Sequence, residues 1–131
     1  MKPAFLSHAD FQPGSALGAH VEPYSPELAA AWRDLFGGAE PGPAEAASVA
    51  LVLAMRAYLA VVSPRPPGNV QARQRFTLHR LPRAGESVRS EVRCLDKNTQ
   101  RERRYLELQV QGTGDGASAI YTGVLSLIWA A

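Results

Sequence analysis

Cysteine is nearly absent: Cys94 stands alone, so no internal disulfide can form, and no set of metal ligands surrounds it. A disulfide framework and a cysteine-based metal site are thereby excluded, and the expectation is a reducing, cytoplasmic setting with no cofactor. Long apolar runs are also missing. The longest, Ala46 to Val62, is interrupted by Ser48 and Arg56. A membrane span needs about 20 apolar residues with few charges, so this run reads as a buried helix. Met1 to Phe11 has no apolar stretch long enough for a signal peptide. Repeats and long low-complexity tracts are lacking as well, and no Gly-x-Ser-x-Gly motif marks a serine nucleophile.

What is present fits a single domain spanning residues 1–131 with enough apolar residues, 46%, to bury a core. Charge is unevenly spread. Residues 65–104 carry eleven Lys/Arg against four Asp/Glu, whereas residues 1–64 come to −3 and residues 105–131 to −2. A basic middle segment suits a partner bearing phosphates. Nucleic acid is disfavoured, because that segment's only aromatics before Leu106 are Phe76 and Tyr105 and no recognised RNA or DNA motif occurs.

Proline and glycine divide the chain at Gly37–Pro43, Ser63–Gly68 and Gly112–Gly116. Ser15 to Val21 reads as a first strand. Ser25 is placed to cap a helix with Pro26 in its first position and Glu27 at its positive end; Leu28, Ala31, Trp32, Leu35 and Phe36 recur at helical spacing, and Gly37 ends it. The second helix, about Ala44 to Val62, is apolar almost all round and is expected to be enclosed by the rest of the protein.

Strand alternation follows. In Val70 to Leu78 the residues Val70, Ala72, Phe76 and Leu78 are expected on the dry face, with Gln71, Arg73, Arg75 and Thr77 on the wet one. Ser87 to Leu95 is a strand, Asp96–Thr99 a turn, and Arg101 to Val110 a strand with Leu106, Leu108 and Val110 inward; Ala117 to Trp129 closes the chain. One enclosed helix followed by curled antiparallel strands is an α+β hotdog arrangement.

Pro67-Gly68-Asn69-Val70 leading into Gln71–Phe76, then Leu81-Pro82-Arg83-Ala84-Gly85-Glu86, Arg103-Arg104-Tyr105, the Asp115-Gly116 turn and the Gly123–Trp129 strand together resemble the MaoC-like hydratases and dehydratases. The resemblance covers roughly residues 12 to 130 and rests on the order and spacing of its motifs. It implies a hotdog domain that handles acyl thioesters of coenzyme A or a carrier protein, and at least a dimer. Active members of that family carry Gly-Asp-x-Asn-Pro-x-His between the first helix and the central one. The Asp and His act on water and the substrate's α-proton in reversible hydration of a 2-enoyl thioester. Here the interval reads Gly37-Gly38-Ala39-Glu40-Pro41-Gly42-Pro43, so Gly38 stands where the Asp belongs and Pro43 where the His belongs. Neither side chain can move a proton. Some family members divide the labour, one hotdog unit supplying catalytic residues and a partner supplying scaffold and tunnel wall, and this chain resembles the second kind.

Two carboxylates compete for the vacant role. Glu40 is either a substitute base or a solvated loop carboxylate, and the second is preferred, since a useful base must be buried or otherwise tuned. Glu45 either drives attack by water, as in some hotdog thioesterases, or simply favours the positive end of its helix, which is again preferred. Free N–H groups around Ala46, Ala47, Ser48 and Val49 are expected to face a thioester carbonyl. Among the arginines near turns and strand ends, Arg80, Arg83, Arg101, Arg103 and Arg104, a solvated face is the preferred reading for most, and Arg83, Arg103 and Arg104 are the candidates to grip a nucleotide phosphate. His8, in a loose N-terminal arm, His20 and His79 read as structural. The competing readings are an atypical hydratase or thioesterase using Glu40 or Glu45, and a non-enzymatic acyl-CoA-binding module.

Overall fold

The computed structural model describes residues 5–38 and 42–131. Strand β1 (Ala16–Pro23) is followed by helices α1 (Pro26–Phe36) and α2 (Pro43–Val61), then by β2 (Val70–Leu78), β3 (Ser87–Gln100), β4 (Arg103–Thr113) and β5 (Ala119–Trp129). All neighbouring strands pair antiparallel in one sheet of order β1-β3-β4-β5-β2. The β3-β4-β5 meander forms the centre. β1 flanks β3, and the chain crosses over through α2 so that β2 lands on the opposite edge, beside β5.

Helix α2 lies along the concave face against β1, β3 and β4. Ala46, Ala50, Ala54 and Ala57 are buried along its inner side, and such small residues let the helix axis approach the sheet closely. Val49, Leu53 and Tyr58 fill the space between them, meeting inward residues of the sheet such as Val92, Leu108, Leu125 and Trp129. Alternation is regular where it matters most: Leu106, Leu108 and Val110 on β4 and Leu125, Leu127 and Trp129 on β5 are all buried.

The sheet does not enclose α2, contrary to expectation. Eight of its nineteen residues are buried, while Leu51, Val52 and Leu59 face outward. The five-stranded sheet covers one side of the helix and leaves its other apolar side exposed among the described residues. Helix α1 begins as its sequence predicts, with Ser25 Oγ accepting from Leu28 N at 3.2 Å and Pro26 in the first helical position. Its expected apolar face is nevertheless left partly open, Leu35 being 79% and Phe36 69% exposed.

Three further expectations are corrected. The sequence Asp96-Lys97-Asn98-Thr99 is not a turn: a bulge between Cys94 and Asp96 absorbs the irregularity, and β3 continues to Gln100. The hairpin turns instead at Arg101 and Glu102, both with positive φ (51° and 67°). On β2, a bulge between Gln71 and Arg73 breaks the alternation, leaving Val70 and Ala72 exposed and only Phe76 and Leu78 half-buried. The segment around His8 is docked rather than loose. Leu6 N donates to Pro64 O, His8 N to Ala131 O, and buried Phe11 meets Trp129 edge-on at 5.1 Å.

Candidate functional site

The end of the molecule where α2 begins gathers the most unusual chemistry. Gly42 caps the helix, Pro43 occupies its first position, and Glu45 follows in the first turn with 1% exposure. A charge buried this deeply requires partners. Glu45 Oε1 accepts from Arg33 Nε of α1 at 2.7 Å, and Oε2 accepts from the Tyr24 hydroxyl in a short hydrogen bond. Tyr24, immediately after β1, is itself fixed by its backbone: its N–H donates to Glu86 O and its carbonyl accepts from Gly85 N, both at 2.8 Å. One carboxylate thus ties together β1, α1, α2 and the turn before β3.

The Tyr24 hydrogen bond and then the Arg33 guanidinium hold the Glu45 carboxyl below its ordinary range, outweighing the opposing effect of burial. Burial, reinforced by the neighbouring carboxylate, pushes the Tyr24 hydroxyl up to about 12. At neutral pH the pair is therefore a neutral donor on a charged acceptor. A carboxylate held low, with a donor on each oxygen, is a poor proton acceptor. Tyr24 and Arg33 also line a cleft of about 270 Å³ between α1 and the Ala84-Gly85 turn, its other walls being Ser25, Pro26, Ala29 and Ala30.

The free N–H groups at this helix end are shifted from where the sequence reading places them. Because α2 starts at Pro43, Ala46 N already donates to Gly42 O at 3.1 Å, and the amides of Ala47, Ser48 and Val49 lie inside the helical ladder. Ala44 and Glu45 carry the amides without an intrahelical acceptor, Pro43 having none. Ala46 and Val49 face the core, and Ala47 and Ser48 are half-buried. Glu40 lies outside the described residues.

The arginines do not form one phosphate site. Arg83 is exposed beside the start of β3, at the α2 N-terminal end, and its backbone N–H donates to Glu86 Oε1 at 2.9 Å. Arg103 pairs with Gln100 at the far hairpin, and Arg104 lies opposite Trp129, so the fourteen residues of β3 separate them from Arg83. Arg80 is half-buried and already paired. Its Nη1 and Nη2 donate to Glu86 Oε1 and Oε2 at 3.0 and 2.5 Å, and Ser118 Oγ accepts from its Nε at 3.0 Å. Asp115 N completes the coordination of Glu86 Oε2 at 2.8 Å, joining the turn before β3 to the turn before β5. His20 Nε2 lies 3.3 Å from Glu22 Oε1, two residues on along the same face of β1. A second cleft, about 240 Å³, lies on the sheet near the far hairpin between Asp96, Tyr105, Glu107 and Ser126, and none of the site residues expected from sequence lines it.

Sequence reasoning missed Tyr24 and Arg33. Their separations from Glu45 are 21 and 12 residues, so no local pattern links the three.

The architecture, a five-stranded antiparallel sheet curled against one long helix, is the hotdog fold in the form found in MaoC-like dehydratases and R-hydratases. The MaoC-like dehydratase from Rhodospirillum rubrum is similar over 97% of this chain and 97% of its own, with TM-score 0.71 and 14% identity. The unliganded R-hydratase from Pseudomonas aeruginosa is similar over 93% of this chain and 84% of its own, with TM-score 0.68 and 13% identity. The HadBC (3R-hydroxyacyl-ACP dehydratase) complex from Mycobacterium tuberculosis contains a chain similar over 87% of this one and 98% of its own, with TM-score 0.60 and 14% identity. No protein-family model matches the sequence. No curated protein matches it either.

Proposed function

We propose that this chain is an acyl-thioester-binding hotdog unit that serves as scaffold and tunnel wall of an enoyl-thioester hydratase or 3-hydroxyacyl dehydratase, with a second hotdog chain supplying the catalytic residues. The observation that carries the reading lies at the start of α2. The resemblance sets Gly38 and Pro43 where MaoC-like enzymes carry their Asp and His. The nearest buried carboxylate, Glu45, is engaged by Tyr24 and Arg33 and is held in its charged form. The same geometry weighs against a thioesterase driven by Glu45, because attack by water would need that carboxylate to accept a proton.

Two observations favour a partner. The outward face of α2 presents Leu51, Val52 and Leu59, and β2 ends the sheet with one edge unpaired among the described residues. The similarity to a chain of a two-component 3R-hydroxyacyl-ACP dehydratase complex is consistent with such an assembly. Binding itself would draw on the cleft between α1 and the Ala84-Gly85 turn and on the free amides of Ala44 and Glu45, which need no catalytic side chain to hold a carbonyl oxygen. Titration of the purified chain with butyryl-CoA in a calorimeter is expected to give saturable binding that free coenzyme A reproduces more weakly. Absence of any heat at millimolar ligand would overturn the thioester-binding reading.

A further inference from the structure

Arg33 carries more hydrogen-bonding capacity than the fold uses. Its Nε donates to Glu45 Oε1 at 2.7 Å, and neither Nη1 nor Nη2 has an acceptor among the described residues. A guanidinium is a planar fork of N–H donors, and the Nε contact leaves both arms of this one over. Glu45 does not need the whole of that charge. It also accepts from the Tyr24 hydroxyl, and it stands in the first turn of α2, where the helix dipole favours an anion. The Arg33 side chain is half-buried, and it forms part of the wall of the cleft between α1 and the Ala84-Gly85 turn.

That cleft sets the size and kind of group able to reach the two free arms. Pro26, Ala29 and Ala30 of α1 face Ala84 and Gly85, all of them short and apolar. The hydroxyl of Tyr24, also in the wall, is already given to Glu45, and no acidic side chain among the described residues lines the cleft to repel an anion. Its volume of about 270 Å³ falls below the roughly 300–1,000 Å³ of clefts that bury a whole drug-sized ligand, so it suits a short acyl chain and leaves a coenzyme outside. The anchors at its two ends are close. Arg33 touches the side chain of Glu45, and the free backbone amide belongs to the same residue, so one short chain spans a carbonyl held by that amide and an anion held by Arg33. A narrow apolar wall with an arginine fork at its end is the complement of an acyl chain that ends in a carboxylate.

We infer that the cleft takes the monothioester of a short dicarboxylic acid, with Arg33 Nη1 and Nη2 donating to its far carboxylate. This rests on the reading that the chain binds acyl thioesters, and it names which ones. Glutaryl-CoA and valeryl-CoA have acyl chains of equal length and differ in ending on a carboxylate or a methyl group. Calorimetric titration is expected to give a dissociation constant for glutaryl-CoA about tenfold or more below that for valeryl-CoA. The variant Arg33→Gln/Glu45→Gln exchanges the ion pair for an amide pair and leaves no charge buried alone. In it the ratio of the two constants is expected to fall to about one. Should that variant fail to fold by circular dichroism, the coenzyme A thioester of glutaric acid monoamide makes the same test on the unmodified chain, and it is expected to bind as weakly as valeryl-CoA. Equal affinities for glutaryl-CoA and valeryl-CoA would overturn the inference and leave the thioester-binding reading standing. Selectivity for glutaryl-CoA that survives in the folded variant, or in the monoamide, would overturn the role of Arg33. Binding of neither thioester would overturn both readings.

Discussion

Replacing Glu86 with alanine is expected to lower the unfolding free energy by about 2–3 kcal/mol, because it leaves the half-buried Arg80 guanidinium without its carboxylate. Glu86 accepts four hydrogen bonds, two from Arg80 and one each from the backbone of Arg83 and Asp115. Gly114 makes room for the group: a Cβ there would lie 2.0 Å from Glu86 Oε2 and 2.6 Å from Arg80 Nη2. The Arg80 hydrogen bonds, with those of the two backbone amides, hold the Glu86 carboxyl at about 2, against the desolvating effect of burial. A depressed folded-state value means that the carboxylate stabilises the fold above the ordinary carboxyl range and loses that contribution as pH falls toward 2. Urea unfolding at neutral pH is expected to separate the native chain clearly from the Glu86→Gln variant. Below about pH 4 the two should converge, reaching similar midpoints near pH 2. A gap that persists undiminished at pH 2 would contradict the assignment.

Gly112→Ala is expected to destabilise by about 3 kcal/mol or more. A Cβ at this position would lie 1.9 Å from Tyr121 Cε2 and 2.4 Å from Cδ2. The ring cannot simply rotate away. Tyr121 is fully buried, stacks on Phe76 at 5.2 Å, and crosses Gly112 to donate its hydroxyl to Ser90 Oγ at 2.5 Å. Burial pushes that hydroxyl up to about 12, so it remains a donor throughout the neutral range. The clash is pairwise, and thermal unfolding of Gly112→Ala, Tyr121→Ala and the double variant provides the check. The double variant should be distinctly more stable than the sum of the single losses predicts. Simple additivity would mean that the alanine acts elsewhere than on this ring.

The elements that were legible in the sequence are those specified locally. Ser25, Pro26 and Gly37 delimit α1 because capping depends on residues within one turn. The bounds of β2, Val70 and Leu78, follow from strand composition between punctuating turns. The β3–β4 turn was misplaced because Arg101 and Glu102 adopt positive φ without glycine or asparagine, while Asp96-Lys97-Asn98-Thr99 has turn-like composition yet is carried through a bulge. The apolar circumference of α2 was visible, but composition does not say which surface covers which side. The site was legible only in part. That Gly37–Pro43 lacks an Asp and a His could be read from the sequence, and Glu45 could be singled out. Its capture by Tyr24 and Arg33 could not, since the three meet only when β1, α1 and α2 are assembled. Arg80 shows the opposite error: a cation near a turn suggested a phosphate, and the fold had already committed it to Glu86.

Hydration of a short 2-enoyl-CoA by the purified chain, followed as loss of the enoyl-thioester absorbance, tests the central claim most directly. The expected result is no rate above the uncatalysed background from folded protein that binds butyryl-CoA. Steady turnover that disappears in Glu45→Gln would contradict it, because the carboxylate held by Tyr24 and Arg33 would then be the base that the scaffold reading says this chain does not possess.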